Sequence, residues 1–107
     1  MIPQLAPSEL AAWRADPGRQ SPLLVDVREP WEVAICSIVD SHPVPLRELV
    51  QRMGELPQQR ELVLVCHKGL RSQVAARVLA AAGFSVHNLR GGIAAWADAV
   101  EPSLARY

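Results

Sequence analysis

Within the short stretch Cys66-His67-Lys68-Gly69-Leu70-Arg71-Ser72 lie a thiol, an imidazole, two cations, a glycine and a hydroxyl. A cysteine acts as a nucleophile only as its thiolate. Lys68 and Arg71 favour the charged form, and a helix starting just after the stretch adds unpaired N–H groups and a partial positive charge. A loop wrapped around the sulfur aims further N–H groups at one point. The same donors hold an anion beside the sulfur. The chemistry that fits is attack by a thiolate on a small anionic substrate. Taken alone, a strand-end cysteine before a polar loop also describes an inert buried thiol and a solvated turn. The coincidence of strand, cysteine, glycine, two basic residues and helix in one segment favours the nucleophile.

The flanking elements must hold that loop. Leu62 to Cys66 is a continuous apolar run that reads as a buried strand. The segment from Ser72 to Ala82 reads as a helix with a buried stripe of Val74, Val78 and Leu79, and Gly83 is placed to end it. Leu23 to Val27 is a second apolar strand, and Phe84 to Leu89 a third. Residues 7–15 start with a proline suited to a first helical turn, and Leu10 and Trp13 form their apolar stripe. Residues 28–38 read as a short helical turn after Pro30, and His42-Pro43-Val44-Pro45 is extended because proline restricts the residue before it. Leu46, Leu49, Val50 and Met53 fall at helical spacing. Ile93 to Val100 forms the last helix, and the tail 101–107 is expected to fray. Apolar strands alternating with helices imply an α/β domain with a parallel sheet covered on both faces. Ligands then bind outside the carboxyl ends of the strands, where the Cys66 to Arg71 loop falls.

The chain has 107 residues, enough for the single domain, 1–107, expected here. Eleven basic and eleven acidic residues cancel, which argues against a nucleic-acid partner. No apolar run approaches the length of a membrane span, and the first residues do not resemble a secretory signal. Cys36 and Cys66 are the only cysteines, which suits a reducing, cytoplasmic setting better than a disulfide scaffold. Cys36 is expected to be a semi-buried apolar residue. His42 and His87 have no ligand-type neighbours at metal spacing, so no metal and no cofactor is expected. Trp13, Trp31 and Trp96 are expected to pack, with Trp31 also placed to line the pocket.

Three blocks resemble the rhodanese family, in the family's order and over nearly the whole chain. They are Leu24-Val25-Asp26-Val27-Arg28-Glu29-Pro30-Trp31-Glu32, the loop Cys66 to Ser72 with its C-x-x-G-x-R-S pattern, and Leu89-Arg90-Gly91-Gly92-Ile93-Ala94-Ala95-Trp96. The resemblance implies a three-layer sandwich around a five-stranded parallel sheet. It further implies that Cys66 takes a sulfane sulfur from a small anionic donor such as thiosulfate and passes it, as a persulfide, to cyanide, a thiol or a protein acceptor. His67, Lys68, Gly69, Leu70, Arg71 and Ser72 would bind substrate, with Asp26, Arg28 and Glu32 positioning the loop. The partner of Arg71 stays open between Asp26 and a nearby glutamate. A monomer or weak homodimer is expected. The sequence departs from the family where glycines are common, at Cys36 and Asp40; aspartate tolerates left-handed backbone better than most residues. Three rival functions remain: a non-enzymatic interaction module, a protein-to-protein sulfur carrier, and a phosphatase or arsenate reductase. Interaction modules of this kind often lack the cysteine retained here. The phosphatases of related fold enclose five residues between cysteine and arginine; Cys66 and Arg71 enclose four.

Overall fold

The three apolar runs pair side by side in a computed structural model that describes residues 1–107. In chain order the elements are β1 (Gln4–Leu5), α1 (Pro7–Ala15), β2 (Leu23–Asp26), α2 (Pro30–Ile35), β3 (His42–Pro43), α3 (Leu49–Arg52), β4 (Leu62–Val65), α4 (Leu70–Ala81), β5 (Val86–Leu89) and α5 (Gly92–Ala99). Short 3-10 turns flank α3 at 46–48 and 53–55. All five strands are parallel, in the order β1-β5-β4-β2-β3, so β4 lies at the centre between β5 and β2.

Side chains alternate across a strand, and each face of the sheet is covered. Leu62, Leu64 and Cys66 point to one face with Val25, Val27 and Val86, under Leu49 of α3 and Ala75, Ala76 and Leu79 of α4. Val63 and Val65 point to the other with Leu24 and Leu89, under Leu10 and Trp13 of α1 and Ile93 and Trp96 of α5. This double coverage explains why β4 is apolar at every position. It also fixes the side of the sheet on which the Cys66 thiol emerges, towards α4.

Several expectations are corrected. The helix after the loop begins at Leu70, two residues before Ser72, and buries Ser72, Ala75, Ala76 and Leu79. Val74 is half exposed and Val50 more so. Alanines form the contact face of α4 because small side chains let the helix sit close to the strands. Trp31 is 63% exposed and does not pack in the core, whereas Trp13 and Trp96 do. The tail does not fray outward from the molecule, since Tyr107 returns to the loop. Asp40 adopts a φ of 66°, the left-handed geometry anticipated for that position. Cys36, expected to be semi-buried, lies among the buried residues of the core.

Candidate active site

The Cys66 sulfur sits just past the end of the central strand, where chain direction changes and β4 gives way to a loop of four residues, Cys66 to Gly69, before α4. Gly69 makes that reversal possible. Its φ is +100°, and a Cβ there would press on the Gly91 backbone, so glycine is required. The Gly69 N–H donates to Cys66 Sγ at 3.0 Å, and Ser72 Oγ lies 3.2 Å from the same sulfur. Leu70 opens α4 directly after Gly69, which directs the positive end of a twelve-residue helix towards the thiol. Cys66 is 1% exposed, so a donor must enter the mouth of the loop to reach it.

The loop is clamped from below by the turn into α5. Ile93 N–H donates to Cys66 O at 2.9 Å and Ala94 N–H to His67 O at 3.1 Å. A Cβ on Gly92 would overlap both of those carbonyls, and its φ is +63°. The second glycine of the Gly91-Gly92 pair therefore lets the first turn of α5 approach the loop backbone.

Arg71 reaches across the site to Glu32, with Nη1 and Nη2 donating at 2.6 and 2.8 Å to the two carboxylate oxygens. This resolves the choice of partner in favour of the glutamate. Glu32 also accepts from Tyr107 Oη at 2.8 Å and from the Glu29 N–H at 3.0 Å, the latter at the start of α2. The two hydrogen bonds from Arg71 outweigh the cost of burial and hold the Glu32 carboxyl down at about 2. Arg71 is held correspondingly more firmly protonated by the same pair. Its side chain is 38% exposed while that of Glu32 is buried, so the pair has one wet and one dry end.

Asp26 and Arg28 do not touch Arg71; they fix α2 instead. Arg28 is fully buried. Its Nε and Nη2 engage the Asp26 carboxylate, Nη2 also donates to Cys36 O at 2.8 Å, and Nη1 donates to Glu32 O at 3.3 Å and Tyr107 Oη at 3.1 Å. All five guanidinium protons are thus used, which is the condition for a buried charge to be tolerated. The carbonyls it binds belong to Glu32, within α2, and to Cys36, the residue that caps its C-terminal end. Anchoring α2 places Glu32, and Glu32 places Arg71.

His67 and Lys68 lie on the outer side of the loop. His67 stacks on Tyr107 with ring centroids 4.1 Å apart, and burial together with the Lys68 charge pushes its imidazole towards the neutral form. They border a cleft of about 260 Å³ closed on its far side by Ile93, Leu104 and Tyr107. A larger hollow of about 470 Å³ lies beyond Arg28, between Pro30, Pro45 and Arg52. It holds no nucleophile, and its arginines are already paired with Asp26, Glu48 and Glu55. Leu70 points outward and is 81% exposed. The structure thus brings Cys66, Gly69 and Ser72 together at the sulfur. Arg71 and Glu32 form the wall, and Asp26 and Arg28 stand one step behind it. Sequence reasoning missed Tyr107 and Asn88. Asn88, on β5 beside β4, accepts from Ser72 Oγ at 2.5 Å and donates to Gly69 O at 3.2 Å. Its polar side chain inside a buried strand was the available signal.

Residues 6–99 match the family model described as a rhodanese-like domain. A sulfurtransferase of Allochromatium vinosum is 45% identical over 76 residues, 70% of this chain and 71% of that protein. A probable adenylyltransferase/sulfurtransferase, MoeZ, of Mycobacterium tuberculosis is 40% identical over 108 residues, 96% of this chain but only 26% of that protein. Among solved structures, a rhodanese-related protein of Thermoplasma volcanium superposes with a TM-score of 0.86 at 26% identity, over 94% of this chain and 96% of that one.

Proposed function

The chain belongs to the rhodanese-like sulfurtransferase family, and from that premise we propose that Cys66 carries the sulfur as a persulfide, with thiosulfate as donor. The observation that carries the reading is the Cys66 sulfur itself, buried within its loop and bonded by the Gly69 N–H at the positive end of α4. The Cys66 thiolate attacks the outer sulfur of thiosulfate. A bond forms between Sγ and that sulfur, the sulfur–sulfur bond of thiosulfate breaks, and its electron pair leaves with sulfite. The charge on the terminal sulfur of the persulfide is stabilised by fixed loop donors that need no rearrangement. Lys68 attracts the dianion and Arg71, fixed by Glu32, keeps the loop in shape. A thiolate or cyanide then attacks the terminal sulfur and Cys66 leaves as thiolate, ready for another cycle. His67, Leu70 and Ser72 complete the binding loop in this reading, and the reaction needs no metal or cofactor.

A protein acceptor is a second reading. Leu70 in the loop is 81% exposed, Trp31 63% exposed, and Trp31 packs edge-on against Tyr107, which covers His67. These apolar side chains beside the loop suit contact with a polypeptide. A reducing compartment such as the cytoplasm fits a cysteine that must return to its thiolate. The test is thiocyanate production from thiosulfate and cyanide. Native protein and Cys36→Ser should turn over and Cys66→Ser should not. Turnover by Cys66→Ser would reject the assignment.

A further inference from the structure

Ser72 has one hydroxyl proton and two acceptors within reach, Cys66 Sγ at 3.2 Å and Asn88 Oδ1 at 2.5 Å. Which one receives it is decided by Asn88. The Asn88 amide nitrogen faces Gly69 O at 3.2 Å and Gln4 Oε1 at 2.9 Å. A backbone carbonyl only accepts, so the nitrogen end must face Gly69. Gln4 is oriented by the same logic, since its amide nitrogen faces Ile2 O at 3.2 Å. With both amides fixed, Asn88 Oδ1 points at Ser72 and offers only lone pairs. Asn88 is 3% and Ser72 0% exposed, so water does not supply a substitute proton, and an unpaired Oδ1 there is costly.

We propose that Asn88 is a positioning residue that withholds the Ser72 proton from Cys66 and so sets how readily the thiol ionises. In the resting enzyme the chain of donors runs from the Cys66 thiol to Ser72 Oγ and from Ser72 to Asn88 Oδ1. Ionisation of Cys66 removes the first donor. Ser72 must then either stay with Asn88, leaving the sulfur to the Gly69 N–H, or turn to the sulfur and strand Oδ1 in the interior. Either course costs free energy that a site without Asn88 does not incur. This role rests on the reading of Cys66 as the nucleophile. The charged and titratable groups around the sulfur are His67, Lys68 and Arg71 of its own loop, Glu32 of α2, Arg28 after β2, and Tyr107. None of them bonds to Asn88 or Ser72.

The experiment is the pH dependence of Cys66 alkylation by iodoacetamide in a Cys36→Ser background. It is read for the parent, Asn88→Ala, Ser72→Ala and the double variant. Loss of the Gly69 anchor occurs in both Asn88→Ala proteins and cancels. Asn88→Ala should speed alkylation on the acid side of the midpoint by about tenfold more when Ser72 is present than when it is absent. That is the worth of one hydrogen bond to a charged group. Asn88→Asp keeps an acceptor facing Ser72 and should not be accelerated, which serves if the alanine variant fails to fold. Equal effects of Asn88→Ala in the two backgrounds, or acceleration by Asn88→Asp, overturn the assignment. Sulfite release from thiosulfate is measured on the same proteins. Absence of sulfite from a parent protein that shows the alkylation cycle rejects the sulfur-transfer reading and leaves the role of Asn88 standing.

Discussion

Replacing Glu32 by glutamine keeps the shape of the side chain and removes its charge. The carboxylate receives both Arg71 nitrogens, Tyr107 Oη and the Glu29 N–H, and its acidity moves from an ordinary 4.5 to about 2. That displacement corresponds to roughly 3 kcal/mol of preference for the charged form in the folded protein. The Arg71 end is 38% exposed and screened by solvent, so roughly 2 kcal/mol is the expected loss at neutral pH. The sign follows from the direction. A carboxyl depressed on folding contributes its full stability above 4.5 and loses it as pH falls towards about 2. Glutamine does not titrate. Urea unfolding of native protein and Glu32→Gln should therefore differ by roughly 2 kcal/mol at neutral pH, and the gap should close through the acid range. A gap that stays constant with pH would show that Glu32 acts through packing and would refute the electrostatic clamp on Arg71. Sulfur transfer should fall alongside, because Arg71 loses the group that fixes the loop.

Lys68→Ala should raise the thiosulfate KM more than it lowers kcat, as expected for a charge that attracts donor and transition state alike; steady-state kinetics with thiosulfate and cyanide check it, and an unchanged KM would contradict it. Gly92→Ala places a Cβ on the Cys66 and His67 carbonyls at a φ of +63°. It should destabilise the fold by roughly 3 kcal/mol and depress sulfur transfer more than a surface substitution of equal stability cost, as read by thermal unfolding and single-turnover sulfite release.

The candidate loop stood out in the sequence because its signals are local. Cysteine, glycine and basic residues fall in one loop, and the apolar runs around it have no solvent-facing positions. Other features depend on distance along the chain. Arg71 meets Glu32 39 residues away, so spacing offered no means of choosing it over Asp26. Tyr107 joins Arg28 and Glu32 from the tail, where composition suggests only fraying. β1 has two residues at the sheet edge, too few to show any period. Val74 was read as part of a buried stripe because apolar type was counted, and Val50 was grouped by spacing with residues that turn inward. The helices instead turn Leu49, and in α4 Ala75, Ala76 and Leu79, to the sheet. Asn88 lies in a strand identified by its apolar residues, and its partners come from distant parts of the chain, Gly69 and Ser72 at the start of α4 and Gln4 in β1.

The central claim is that Cys66 becomes a persulfide. Native protein, reduced and freed of reductant, is mixed with thiosulfate, and sulfite release is followed together with the intact mass and the modified peptide. A single equivalent of sulfite, a mass gain of one sulfur atom on the peptide containing Cys66, and loss of that mass on adding cyanide are the predicted result. A sulfur adduct on Cys36, or a Cys66 that stays unmodified while sulfite is released, would contradict it.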